Sequence, residues 1–351
     1  MSRFAALWLT GGAGFLLMLE LMFRLLPVST STETGYHTDP LVVTYPAHHR
    51  WTRSTGWDLR SPQTVESNNS GYLADQDFER NNRAVALIGD SYVEASMLDA
   101  EDRPGAQLER ALGSRPVYAM GVPGTSLLDY AERIRFAHDN FDVQDFVLLV
   151  ERGDVRQSLC GSANVHGRCL DPKTLAPRVE TLPEAGMVKR TFRHSALAQY
   201  LFSQLKFNPQ KLIQRAHAFL QSPDARRTRL TPGLPATELT GTSASAMPEV
   251  DAVSNAFFAR IRPHVRGHLV IVMDSDRDSL YRGKVTPDPE RARFMDLARM
   301  AGARVIDTTP LFEAQMEQSP LKFDIGPYDG HLNALGIGLI TKSAAKALQQ
   351  P

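Results

Sequence analysis

A chain of 351 residues, 42% of them hydrophobic and 22% charged, carries enough apolar material for one large α/β core or two modest domains, which excludes disorder as its general state. Lysine plus arginine and aspartate plus glutamate both total 39, so the formal net charge is zero. No global field draws such a chain to nucleic acid, and a neutral, sugar-like or acyl substrate suits it better than a polyanion.

The strongest compositional boundary closes the first 28 residues. Phe4 to Met22 is apolar except for Thr10, the glycines Gly11, Gly12 and Gly14, and Glu20. Continued through Leu25 and Leu26, the stretch reaches the roughly 20 residues that cross a bilayer. A buried amphipathic helix would need a polar face, which this run lacks. No small-residue cleavage site follows Leu26, so residues 1–28 are expected to form an uncleaved single-pass anchor in the inner membrane. Arg3 and Arg24 flank the run on both sides and do not orient it.

Residues 29–80 are polar and turn-rich and read as a lead-in rather than a core. From 81 onward, continuous apolar runs alternate with helical patterns: Ala84 to Ile88, Val117 to Ala119, Phe146 to Val150, Leu269 to Met273, and Val305 to Ile306. Continuous runs are what strands covered on both faces show. Helices are expected over Gly105 to Leu112, Ser126 to His138, Val250 to Pro263, Pro287 to Met300 and Ala334 to Leu348. Strand and helix in alternation predict an α/β domain over 81–351 with a parallel, doubly wound sheet. The alternation breaks at about 171–249. Helical segments there (Ala196 to Leu205, Gln210 to Leu220) precede a Pro/Thr/Ser/Gly-rich run that ends at Met247-Pro248. It is an insertion, either a surface excursion or a lid.

The only cysteines, Cys160 and Cys169, are close enough to close a small loop. Oxidised, they would suit a periplasmic or extracellular compartment. Free thiols are the alternative. A metal site with His166 is the third reading, but it lacks paired C-x-x-C spacing and soft ligands. Nothing in the sequence calls for a cofactor.

Just past the first predicted strand stands Gly89-Asp90-Ser91-Tyr92, which puts a serine at the sheet edge where ligands bind. It is not the G-x-S-x-G elbow, because Val93 occupies the last glycine position. Serine needs a base and an orienting acid. Asp329-Gly330-His331, immediately before the last helix, can supply both. Taken singly, each is an ordinary turn residue.

Together these blocks resemble the SGNH (GDSL-like) hydrolase superfamily, over about 84–348. The resemblance implies a three-layer α/β/α fold with a flavodoxin-like five-stranded parallel sheet. It also implies Ser91 as nucleophile, Asp329 and His331 as its partners, and an oxyanion hole from the amides of Ser91 and Gly121. The family's third block, Gly-x-Asn-Asp, is Glu151-Arg152-Gly153-Asp154 here, so Gly153 stands where an asparagine side chain completes the hole; Arg152 and Arg156 are candidate substitutes. The Asp-x-His spacing, in place of the common Asp-x-x-His, is similar to the alginate-acetylation branch. The implied function is serine-dependent hydrolysis of carbohydrate or lipid O-acyl esters outside the cytoplasm. Alternatives are an exopolysaccharide O-acetyltransferase working with other polysaccharide-pathway proteins, and a non-catalytic glycan-binding assembly protein.

Overall fold

A computed structural model describes residues 3–30, 33–162, 167–182, 186–205 and 246–350. His166, the Gln210 to Leu220 helix and most of the Pro/Thr/Ser/Gly-rich run lie outside the described residues.

Four short strands come first: β1 (Gly35–Asp39), β2 (Val42–Thr44), β3 (Arg50–Thr55) and β4 (Arg60–Glu66). Five apolar strands then build one sheet: β5 (Val85–Gly89), β6 (Val117–Gly121), β7 (Asp145–Val150), β10 (Leu269–Met273) and β11 (Arg304–Asp307). Between and after them lie the small strands β8 (Arg168–Leu170), β9 (Pro177–Val179), β12 (Asp324–Gly326) and β13 (Asp329–Leu332). The sheet order is β11-β10-β7-β5-β6 and every pair in it is parallel. Numbered by appearance this is 2-1-3-4-5, the flavodoxin-like order, so the strand order reverses beside β5.

Alternation along each strand sorts the core into two layers. Ala86, Ile88, Met120, Leu148 and Ile271 face the helices Leu127–Phe141, Ala246–Ile261 and Pro289–Met300. Val85, Leu87, Ala119, Leu149 and Val272 face the helices Pro104–Ala111, Thr308–Gln318 and Ala334–Gln349. Both faces are therefore covered, which is why the strands read as unbroken apolar runs. Helix starts follow the expected chemistry. Asp288 caps Pro289–Met300 by accepting from the Arg291 amide at 2.9 Å, with Pro289 in the first turn.

The structure departs from expectation in two places. Residues 29–80 are more than a lead-in: β1 pairs with β2 and β3 with β4. Tyr45, Trp51, Val65 and Leu73 bury a small cluster of their own, while Val42, Val43, Tyr72 and Phe78 join the main core. Aromatics spaced among polar residues hide this from any window average, because a two-stranded hairpin shows only one apolar face. Met247 and Pro248 belong to the first turn of the helix Ala246–Ile261, where proline's missing N–H costs nothing.

The N-terminal helix Arg3–Arg24 contains the one window long and apolar enough to cross a membrane among the described residues, Leu7–Arg24, and none of that window is buried in protein. Its apolar side chains, Phe4, Trp8 and Leu17 among them, are exposed along its length.

Leu148, fully buried in the central strand β7, tests the sheet core. Leu148→Ala is expected to cost about 3 kcal/mol, the usual toll of a buried leucine cavity, read as a lowered urea midpoint with an unchanged slope.

Candidate active site

β5 ends at Gly89, and the chain turns into the short helix Ser91–Glu94. Asp90 organises the turn: its Oδ1 accepts from the Tyr92 amide at 2.9 Å, and its carbonyl accepts from the Val93 and Glu94 amides. Gly121, at the end of β6, lies directly against this helix. A Cβ there would collide with the Glu94 amide nitrogen, so only glycine lets the two backbones approach this closely. The other end of the helix is tied to the N-terminal hairpins, since the Tyr45 hydroxyl donates to Glu94 Oε1 at 3.1 Å.

Asp329 and His331 arrive on β13, which pairs with β12 in an antiparallel hairpin that lies against the helices Ser91–Glu94 and Ala334–Gln349. His331 Nε2 is 2.8 Å from Ser91 Oγ, and His331 Nδ1 is 2.5 Å from Asp329 Oδ1. The same Asp329 oxygen accepts from the His331 amide at 3.0 Å, which fixes the carboxylate inside the turn. Burial works against the charge on Asp329, but the His331 ring and amide outweigh it and hold the carboxyl below the usual carboxylate range. Residues separated by 240 positions thus form a continuous hydroxyl, imidazole and carboxylate relay. Such a relay can withdraw a proton from Ser91 and stabilise the imidazolium that results.

Gly153 differs from the family's asparagine in more than its missing side chain. Its N–H donates to Glu151 Oε2 at 2.6 Å, so it is already engaged. Nor do the candidate substitutes remain free. Arg152 is paired with Asp276 at 2.9 Å, and Arg156 holds Glu290 at 2.6 Å and Glu249 at 3.2 Å. The third-block position is therefore a closed acidic and basic network, which leaves the amides of Ser91 and Gly121 as the candidate oxyanion donors.

Sequence reasoning missed Arg277. Its guanidinium is 8% exposed and bonded on every side. Nη1 contacts both Asp274 oxygens at 2.8 and 2.7 Å, and Nε donates to Asp324 Oδ1 at 2.9 Å. Nη2 donates to the Tyr92 hydroxyl at 3.0 Å and to the Gly330 carbonyl at 2.5 Å. It thereby clamps the hairpin bearing Asp329 and His331 to the end of β10, and it links that hairpin to Tyr92, whose ring lies 4.9 Å from that of His331. The available signal was an Asp-Ser-Asp-Arg run directly after an apolar strand.

Behind the nucleophile turn lie further buried carboxyls. Burial raises Asp90 and Glu151, and it raises Asp154 well above the ordinary range, helped by the nearby charges of Asp90 and Glu151. Asp154 Oδ2 accepts from the Tyr130 hydroxyl at 2.9 Å and from the Glu151 amide at 2.7 Å. Away from the edge, Cys160 and Cys169 are joined by a disulfide, with Cα atoms 5.1 Å apart, so neither sulfur is a thiolate ligand.

No family model matches the sequence. No curated protein matches it. Among solved structures, the chain is similar to an α/β hydrolase enzyme from the metagenome of Lake Arreo, Spain, at 14% identity and TM-score 0.38 over 78% of this chain and 99% of that one. It is also similar to a member of the lipolytic G-D-S-L family from Veillonella parvula, at 9% identity and TM-score 0.37 over 76% and 99%. An acetylxylan esterase from Geobacillus stearothermophilus is similar at 11% identity and TM-score 0.39 over 78% and 96%.

Two outcomes are expected. Arg277→Leu should slow phosphonylation of Ser91 by a fluorophosphonate about 100-fold, the scale of an ångström's misplacement, in protein shown to be folded by its far-UV circular dichroism. A labelling rate within twofold of the parent, roughly, would show that the hairpin needs no clamp. Asp154 gives a pH signature. A carboxyl raised by folding keeps its proton where the unfolded chain has lost it, so its stability contribution is full below about pH 4. Stability then falls by about 1.4 kcal/mol per pH unit until the folded group ionises. Asp154→Asn should remove that slope, so urea titrations from about pH 4 to 7 should favour the variant increasingly as pH rises.

Proposed function

We propose that this chain is a serine-dependent acyl-ester hydrolase of the SGNH type, held to the inner membrane by its first helix with the α/β domain in the periplasm or outside the cell. The observation that carries the activity is the relay itself: Ser91 Oγ, His331 and Asp329 in hydrogen-bonding sequence at the C-terminal edge of a parallel sheet. The disulfide supports the oxidising compartment. The exposed apolar helix supports the anchor.

In this reading Ser91 Oγ attacks the ester carbonyl while His331 Nε2 takes its proton. The amides of Ser91 and Gly121 receive the oxyanion. The tetrahedral intermediate collapses, His331 returns the proton to the leaving alkoxide, and the acyl group remains on Ser91. Water, deprotonated by His331, then releases the acid. Asp329 stays ionised throughout, as its depressed pKa suits.

A second reading, a glycan-binding protein that retained the fold, rests on one observation: the third oxyanion position has neither an asparagine side chain nor a free amide at Gly153. Removing one such donor costs about 100- to 1000-fold in turnover, which slows an enzyme without abolishing it.

Full-length protein in detergent, treated with a fluorophosphonate probe, decides between them. Labelling that vanishes in Ser91→Ala and drops by about 1000-fold or more in His331→Ala is the expected result. Folded parent protein that never labels would leave only the binding reading. Acid release measured with and without a sugar acceptor separates hydrolysis from acyl transfer.

A further inference from the structure

The membrane helix is joined to the candidate active site by a continuous set of contacts. Glu20, in the last turns of the apolar window, accepts from Ser195 Oγ at 2.8 Å and from the Ala196 and Leu197 amides at 3.0 Å each, and so caps the helix Ala196–Gln199 of the insertion. Phe23 stacks on Tyr200 with ring centroids 4.3 Å apart. The Tyr200 hydroxyl donates to the Trp57 carbonyl at 2.8 Å, at the tip of the β3–β4 hairpin. Trp57 Nε1 in turn donates to the Tyr328 hydroxyl at 3.1 Å. At Gly56, on the same tip, an added Cβ would fall 2.6 Å from the Tyr328 ring, so the hairpin backbone lies flat against that ring. Tyr328 immediately precedes Asp329.

Depth follows from helix geometry. Glu20 lies one turn, about 6 Å, before Arg24, where the apolar window ends. The insertion helix that it caps is therefore held beside the end of the window that would meet the bilayer surface. Trp57 and Tyr328 are 63% and 53% exposed although they bond to each other, and Phe192 and Phe202 stack together with roughly half of each ring open to the outside. Tryptophan and tyrosine with an apolar body and a bonded polar tip are the side chains that favour headgroup depth. Arg190 is exposed on the same segment.

We infer that the face formed by Trp57, Tyr328, Phe192 and Phe202 rests in the headgroup layer, and that the Ser91 site opens onto the membrane surface to take an acyl ester carried by a membrane-resident lipid. This rests on the hydrolase and anchor readings above and adds the substrate class. The reaction is the one already balanced: the acyl carbon bonds to Ser91 Oγ, its bond to the lipid-borne oxygen breaks, His331 protonates that oxygen, and water completes the turnover. The lipid product keeps its anchor and the small acid leaves.

The test reconstitutes the full-length chain in phosphatidylcholine vesicles. One coumarinyl acetate is supplied free in solution, and the same ester is supplied tethered to a diacylglycerol anchor in those vesicles. The tethered ester should be cleaved with kcat/KM about tenfold higher or more at equal bulk concentration, because anchoring concentrates it at the site. Phe192→Ser/Phe202→Ser should shrink that ratio. The part of the tryptophan emission that disappears in Trp57→Phe should be quenched by a nitroxide on the lipid headgroup. Equal cleavage of the two esters, or Trp57 emission indifferent to the headgroup quencher, overturns the inference and leaves the hydrolase reading standing. No cleavage of either ester removes the hydrolase reading and the substrate class with it, while the quenching result still decides which face meets the membrane.

Discussion

The Ser91 hydroxyl and the His331 ring meet where a buried guanidinium joins the hairpin of one to the strand ends of the other. Arg277 spans Asp274 at the end of β10, Asp324 on β12, the carbonyl between Asp329 and His331, and the hydroxyl beside the nucleophile. Two carboxylates neutralise it, and its remaining donors are spent on the groups whose position matters. Arginine suits this place, since a planar fork with several fixed donors reaches partners on separate elements where an ammonium would make a single point of attachment. A buried charge of this kind is weak as a source of stability and strong as a source of register.

The same edge concentrates carboxyls in a way that ordinary packing would avoid. Asp90, Glu151 and Asp154 lie below the nucleophile turn, where burial raises all three and neighbouring carboxylates add to it at Glu151 and Asp154, whereas Asp329 is pulled the other way by its histidine. Environments that drive neighbouring carboxyls apart are characteristic of sites that move protons. The carboxyl bonded to the histidine is the one favoured as a carboxylate, while at Asp154 burial outweighs the amide and the tyrosine hydroxyl that would favour its charge.

The described part of the insertion after β7 docks on two neighbouring elements. Its helix at Ala196–Gln199 is capped by Glu20, and Gln204 donates to the carbonyls of Ser54 and Gly56 at 3.1 and 2.7 Å. It therefore wedges between the N-terminal helix and the β3–β4 hairpin, joining both to the rim of the site.

Much of the architecture was legible in the residues themselves. Five unbroken apolar runs announce five strands covered on both faces, because a parallel strand must hide both sides, and the helices Pro289–Met300 and Ala334–Gln349 lie where the sequence pattern puts them, while the helices Arg277–Tyr281 and Thr308–Gln318 went unread. Ser91, Asp329 and His331 could be picked out as chemistry-bearing types at strand and helix junctions. Local sequence could not reveal their 2.8 and 2.5 Å separations, nor the hairpins within 29–80, whose aromatics bury only on pairing. It could not find Arg277, which reads as one more arginine in a turn until partners from positions 92, 274, 324 and 330 converge on it. Nor could it tell that Arg152 and Arg156 are occupied by carboxylates distant in the chain. Composition, period and capping act over a few residues, so the sequence alone determined the elements and the candidate groups. Which charges are paired, which amides are taken and which face meets the N-terminal helix are long-range facts, and only the tertiary structure decided them.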